Sequence, residues 1–275
     1  MSDFLYGGFM NPIITVFGRD IATYSLAAIA GILISGTFVC VNAKKRGFDQ
    51  VKVTVALLVS AIGILMGGHI LYGITNINKI DFLMRNLNKI TSLKLFLACI
   101  YEIFGGSVFY GGLFGGLLFG SIYLKKANMN SPVLYDIIAC SIPLMHAFGR
   151  IGCFLGGCCY GIESKFGFTY HNSLIESANH IRRFPVQLLE ALLNLILFLM
   201  LYIFMKRGFF KGKMIYIYLI IYPIIRFLLE FLRGDRIRGF ILSLSTSQII
   251  SVGIILIVSL SLIKQKVSLH NKPTQ

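Results

Sequence analysis

The run Gly149-Arg150-Ile151-Gly152-Cys153-Phe154-Leu155-Gly156-Gly157-Cys158-Cys159-Tyr160-Gly161 closes an apolar stretch, about 133–155, that is long enough to cross a bilayer and holds an arginine inside it. A charged side chain at membrane depth costs at least ~2.5 kcal/mol on the mildest insertion scale. That cost is tolerated where the charge faces a cavity and meets an anion. The surrounding glycines thin the helix wall and let a backbone or a ligand approach closely. The stretch therefore reads as a buried site for a phosphate or carboxylate in a helical membrane bundle. Its alternative is an arginine tied to an acid on another helix as interhelical glue.

The rest of the chain agrees with a membrane setting. Its 275 residues are 56% hydrophobic and only 13% charged, against roughly 25% charged in soluble domains, and its mean hydropathy is +0.78. Apolar runs of spanning length fall at about 21–43, 51–72, 95–124, 133–155, 186–205, 214–232 and 247–264. They predict an all-α integral membrane protein: a seven-span helical bundle forming a single domain over 1–275. The third run is rich in glycine and is expected to break near Gly105-Gly106. No internal repeat is evident, which speaks against transporter folds built from duplicated halves. The first twenty residues lack the basic start of a cleavable signal and read as an interfacial segment.

Net charge is +15. In a soluble protein this would raise nucleic acid as a partner, but no nucleic-acid motif is present. The cations cluster instead in short segments, at Lys44, Lys45 and Arg46, at Lys125 and Lys126, at Lys206 and Arg207, and in the tail through Lys272. Such clusters set topology and attract anionic headgroups. They place the C-terminus in the cytoplasm and the N-terminus outside. Two longer loops are then external. Residues 73–94 alternate Phe82, Leu83, Leu87 and Ile90 with Lys79, Arg85 and Lys89, the pattern of an amphipathic arm lying in the headgroup plane. Residues 156–185 carry Phe166, Phe168, Tyr170, His171 and His180 and read as a small external cap.

Several polar constellations interrupt the apolar runs. Tyr222, Arg226, Glu230 and Arg233 are spaced by four, four and three, so a helix would carry them on one face. Either they form a polar seam within the bundle, with Glu230 answering one arginine and a substrate anion the other, or they are simple salt bridges along one helix. In Phe184-Pro185-Val186-Gln187-Leu188-Leu189-Glu190, Pro185 suits a helix start. Gln187 and Glu190 share a face there, as cap and dipole partners or as site residues. Gly105-Gly106-Ser107-Val108-Phe109-Tyr110-Gly111-Gly112 reads as a broken helix beside a cavity, with the Tyr110 phenol as donor or base, or else as close packing through small residues. His69 and His146 are further intramembrane polar groups. The spacing of Cys153, Cys158 and Cys159 is neither a CxxC pair nor a zinc pattern; packing, a reactive thiol and a metal remain open for them.

In this order the segments resemble the prolipoprotein diacylglyceryl transferase family. Tyr24 matches a first-span tyrosine. Gly67-Gly68-His69-Ile70-Leu71-Tyr72 is similar to the family's GGR-I-x-Y, Tyr110-Gly111-Gly112-Leu113 to its HGGL, and the run from Gly149 to Tyr160 to its GR-x-GNF-x-NGE. Phe184–Glu190 is similar to HPSQLYE, Arg226–Arg233 to RF-x-x-EF-x-R, and Ser247–Ser251 to the last-span GQ-x-x-S. The resemblance implies a bacterial inner-membrane enzyme of lipoprotein biosynthesis. Its reaction would move diacylglyceryl from phosphatidylglycerol to the thiol of a prolipoprotein lipobox cysteine, or another acceptor thiol, and release glycerol-1-phosphate. It implies no cofactor and no metal.

On this resemblance Arg150 and Arg226 handle the phosphate, Glu230 orients an arginine, and Tyr110 stands in the catalytic histidine's place. Tyr24, His69, Gly111, Gly112, Gly149, Cys153, Gln187, Tyr222 and Arg233 surround the substrate. The chain departs from the family pattern at Tyr110 for His, His69 for Arg, Cys153 and Gly156 for Asn, and Cys158 for Glu. A non-catalytic lipid-binding or transport paralogue and a membrane thiol oxidoreductase are the rival readings.

Overall fold

The computed structural model describes residues 11–235, 240–241 and 244–270. The first ten residues of the expected interfacial segment, and the loop cations Arg236, Arg238 and Lys272, lie outside the described residues. The chain is mostly helical and gathers into two compact units, 1–39 with 132–275, and 40–131.

The first unit opens with a hairpin, β1 (Ile13–Val16) and β2 (Arg19–Ala22), paired from Ile13↔Ala22 to Val16↔Arg19. Its turn, Phe17-Gly18, has positive φ at both residues, the geometry that matches the twist of a tight hairpin. The hairpin feeds α1 (Thr23–Lys44), whose first turn is fastened by the Thr23 hydroxyl donating to the Asn11 carbonyl at 2.9 Å. Later come α6 (Pro132–Leu155), α7 (Val186–Arg207), α8 (Met214–Leu229) and α9 (Thr246–His270). The second unit holds α2 (Gln50–Thr75), α3 (Ile77–Arg85), α4 (Leu93–Phe104) and α5 (Phe109–Lys126).

Among the described residues six helices are long and apolar enough to cross a membrane: α1, α2, α6, α7, α8 with the 3₁₀ turn Glu230–Leu232 that extends it, and α9. The α4–α5 pair, bent by 95° at the expected break, is a broken span or a re-entrant loop, and counts as a seventh crossing in the first case alone. Burial is inverted relative to a soluble protein. Leu33, Leu65, Leu199, Leu228 and Ile257 are exposed, whereas Arg150, Glu190, Arg226 and Gln248 are buried. Apolar outside and polar inside is the arrangement hydrocarbon solvent selects.

In the second unit, α2 and α5 touch backbone to backbone. A Cβ on Gly67 would strike the Gly111 carbonyl, and one on Gly63 the Gly115 carbonyl. Gly112 faces Ile64 of α2. Of the two readings of this segment, close packing through small residues is the one realised at Gly111 and Gly112. The room expected there for lipid is taken by α2, because only glycine lets two helices meet this closely. The amphipathic arm begins one turn inside the expected loop: α2 runs on to Thr75, and α3 follows with no buried residue.

Two features of the first unit position its site. The Asp136 carboxylate, buried near the start of α6, accepts the Gly212 N–H at 2.6 Å and the Met214 N–H at 3.1 Å. It thereby satisfies donors that the start of α8 would otherwise leave orphaned. The cap is partly β: β3 (Glu163–Thr169) pairs with β4 (Arg182–Arg183) beside the 3₁₀ turn Glu176–Ala178. Tyr160, Tyr170 and Ala178 form a small core there with Phe154, Phe168 and Ile175, and the Arg183 guanidinium sits 4.4 Å from the centre of the Tyr160 ring. The cap is tied down by a bridge between Gly161 and Arg233. Gly161 is required there, since a Cβ would run into the Phe184 carbonyl. A third antiparallel strand pair, β5 (Phe240–Ile241) with β6 (Leu244–Ser245), precedes α9.

Candidate active site

The site grows from three helices of the first unit. Arg150 lies in the last turns of α6, Glu190 in the second turn of α7, and Tyr222 and Arg226 on α8. Arg150 Nε stands 3.0 Å from Glu190 Oε2, an ion pair whose N–H is not aimed at the oxygen and so makes no hydrogen bond. The other Glu190 oxygen accepts the Tyr222 hydroxyl at 3.3 Å and lies 3.8 Å from His146 Nε2. The His146 and Tyr222 rings meet edge to face at 4.7 Å. Glu190 is 1% exposed, and the charges of Arg150, Arg226, His146 and Arg233 all act on it. The two arginines therefore share one electrostatic neighbourhood.

Of the two readings of Arg150, the tie to an acid on another helix is the one present: Glu190 answers it, where a substrate anion was expected as the counterpart of the second arginine. The sequence places Glu190 at a helix start, where an acid reads as a dipole partner or as a site residue. The informative signal was a second one: a buried arginine on α6 demands a carboxylate somewhere, and few acids lie inside the apolar runs.

Arg226 behaves as expected from its i, i+4 spacing. Its Nη2 is 2.6 Å from Glu230 Oε2 and donates to Ser247 Oγ at 3.1 Å. Its Nη1 is buried and has no hydrogen-bond partner among the described residues. Ser247 is held by the start of α9, where Ser245 and Gln248 cap each other reciprocally: Ser245 N donates to Gln248 Oε1 at 2.9 Å and Gln248 N to Ser245 Oγ at 3.2 Å. The expected single helical face ends early. The α-helix stops at Leu229, and Arg233 lies beyond the 3₁₀ turn in extended conformation. There Arg233 makes a two-pronged pair with Asp235, at 2.8 and 2.6 Å, and stays 3.9 Å from Glu230. The bidentate geometry explains why it prefers the nearby aspartate.

The remaining expected residues are distributed as follows. Gly149 opens onto space, with no atom within 4 Å of where a Cβ would stand. Tyr24 is 46% exposed and packs over Gly152. Gln187 uses its amide nitrogen on the Cys158 carbonyl at 2.8 Å and the Tyr170 hydroxyl at 3.2 Å, so it fastens the cap to α7. Burial, opposed by that Gln187 donor, pushes the Tyr170 phenol up from its ordinary value. Tyr110, Gly111, Gly112 and His69 belong to the second unit. Tyr110 is buried at the first turn of α5. His69 Nδ1 is 2.7 Å from the Phe104 carbonyl and 2.8 Å from that of Gly106. Two acceptors on one nitrogen require that Nδ1 carry the proton, so His69 pins the α4–α5 bend with Nδ1–H.

Cys153, Cys158 and Cys159 come together. After α6 ends at Leu155, Gly157 and Cys159 both take positive φ, at 69° and 57°, and Cys158 N donates to the Cys153 carbonyl at 3.1 Å. This reversal brings the three sulfurs within 4.8 Å of one another. Hydrogen bonds from Cys153 and Cys158, then the Arg233 and Arg150 charges, draw the Cys159 thiol well below its ordinary value against the opposing effect of burial.

The chain is a multi-pass helical membrane protein that buries two arginines with carboxylates beside a glycine-opened helix end. Comparison with known proteins narrows that class. Residues 12–264 match the family described as prolipoprotein diacylglyceryl transferase. The Clostridium tetani protein named phosphatidylglycerol–prolipoprotein diacylglyceryl transferase is 34% identical over 251 residues, covering 90% of this chain and 95% of its own. A Clostridium perfringens protein named as the second such transferase is 33% identical, covering 88% and 90%. A Finegoldia magna relative of the same name is 28% identical over 88% of this chain. The chain belongs to the prolipoprotein diacylglyceryl transferase family.

Proposed function

We propose that this protein transfers the diacylglyceryl group of phosphatidylglycerol to the cysteine thiol of a prolipoprotein lipobox in the bacterial cytoplasmic membrane. Its N-terminus would be outside and its C-terminus in the cytoplasm. Family membership supports the reaction. The observation that carries the site is the buried Arg150–Glu190–Tyr222–Arg226 group, with a guanidinium nitrogen on Arg226 that has no hydrogen-bond partner among the described residues.

The chemistry follows from that group. The acceptor sulfur attacks the glyceryl carbon, the C–O bond to phosphate breaks, and its electron pair leaves with glycerol-1-phosphate. The thiol proton must be removed for sulfur to be an effective nucleophile. The departing phosphate gains negative charge, which fixed cations in a water-poor site stabilise most. Arg226 offers Nη1 to a phosphate oxygen, with Glu230 and Ser247 holding its other arm. Glu190 holds Arg150 at 3.0 Å, so that guanidinium acts as a positioned charge and not as a wandering one. Gly149 leaves room at this end of α6.

The test is reconstitution of the full chain in phosphatidylglycerol vesicles with a lipobox peptide. Mass spectrometry should show one diacylglyceryl thioether per peptide and free glycerol-1-phosphate. A serine peptide should give no product, and Arg226→Ala should abolish transfer. No thioether from the wild-type chain, or undiminished transfer by Arg226→Ala and Arg150→Ala alike, overturns the proposal.

A further inference from the structure

The thiol cluster is not absorbed by the reaction just described. Resting on that reading and extending it, we propose that Cys153, Cys158 and Cys159 form a three-thiolate site for zinc(II) whose fourth position takes the acceptor thiol.

The geometry suits the ion. The three sulfurs already lie within 4.8 Å of one another. Zinc–thiolate bonds of about 2.3 Å place tetrahedral sulfurs roughly 3.8 Å apart, so closure needs a contraction of about 1 Å or less. Sulfur donors select thiophilic cations over magnesium or calcium. Among the described residues no His, Asp or Glu joins the three cysteines as a fourth ligand. Three protein ligands with one position open is the pattern of catalytic zinc, whereas structural zinc is closed by four. Zinc with three thiolates carries net negative charge, and the Arg150 and Arg233 charges act on this cluster. The backbone is held as well: Cys158 donates its N–H to the Cys153 carbonyl and gives its own carbonyl to Gln187.

The site also answers a chemical need. The family's base position is occupied by Tyr110, and a phenol titrates near ~10. A metal-bound thiol loses its proton outright. The acceptor S–H would coordinate zinc and release its proton to water. Its sulfur would then form the C–S bond as the C–O bond breaks and the phosphate leaves with the electron pair. No oxidant or reductant is consumed.

The experiment uses the full chain in detergent, reduced and stripped by a chelator, then titrated with cobalt(II) or zinc(II) alone. One ion per chain is expected, with the intense sulfur-to-cobalt absorption of a tetrahedral thiolate site. The lipobox peptide should shift that spectrum, and its serine analogue should not. Cys158→Ser and Cys159→Ser should each weaken binding by at least tenfold. The wild-type titration stands alone if those variants fail to fold. Sub-stoichiometric binding, binding unchanged in the serine variants, loss of thiols to a disulfide with no metal held, or a spectrum blind to the peptide overturns the proposal. Undiminished transfer by the stripped protein faults the zinc site and leaves the reaction standing. A peptide-sensitive metal site without transfer faults the reaction instead.

Discussion

Replacing Glu190 by alanine removes the carboxylate that faces Arg150 at 3.0 Å, Tyr222 at 3.3 Å and His146 at 3.8 Å. All of these groups are buried, so the loss is not made good by water. Breaking one side of a buried ion pair costs about 3–5 kcal/mol, mostly because the surviving charge is left uncompensated. At roughly 2–4 °C per kcal/mol for a chain of this size, the midpoint of thermal unfolding in detergent should fall by about 6–20 °C. The same reasoning makes the double variant informative. Arg150→Ala in the Glu190→Ala background deletes the orphaned guanidinium, so the two losses should fall short of additivity by about 1–3 kcal/mol. Glu190→Gln should lie between wild type and alanine, since the amide still accepts from Tyr222 but carries no charge. Additive losses, or a Glu190→Ala shift under about 2 °C, would refute the claim that this carboxylate compensates Arg150.

Three further outcomes follow from the same geometry. Arg226→Lys keeps one charge but not the fork that serves Glu230, Ser247 and a phosphate oxygen together, so diacylglyceryl transfer should fall roughly 10²–10³-fold, read as thioether formed per unit time at fixed lipid. Tyr110→His installs an imidazole that titrates near ~6.5; transfer by the metal-stripped protein at neutral pH should rise at least about tenfold over the stripped parent chain and increase with pH through that value, and a flat profile would remove position 110 from proton handling. Gly67→Leu drives a side chain into the Gly111 carbonyl of α5, and the overpacking should destabilise by about 1–3 kcal/mol or more, seen as a lowered unfolding midpoint that Gly149→Ala, with open space around it, does not reproduce.

The spans were legible because hydrocarbon solvent leaves no other explanation for repeated apolar runs. Even the break near Gly105-Gly106 was legible, since paired glycines lower the cost of leaving the helix. Arg226 with Glu230 was legible because i, i+4 partners are set by helix geometry alone. The choice between the two readings of Glu190 was not legible, because its partner lies forty residues away, on a helix whose rotation about its axis no periodicity fixes. The same limit hid His146, which touches Tyr222 and Glu190 from α6. The cysteines escaped for another reason. A C-x₄-C-C spacing matches no ligand motif on a straight helix or in a common turn; the sulfurs meet only because Gly157 and Cys159 reverse the chain. At Gly111 and Gly112, composition left cavity and helix contact equally open, and only the position of α2 decided between them.

Asp136 has a consequence for inheritance of precision along the molecule. It latches the second turn of α6 to the chain entering α8, while Arg150 and Arg226 ride near the opposite ends of those two rods, about 20 Å farther on at 1.5 Å per residue. Axial creep of either rod is thus arrested at one rim and felt at the other. A lesion at position 136 should read out as blurred chemistry at a site it never touches, and a search for impaired alleles confined to the arginines' surroundings would overlook it.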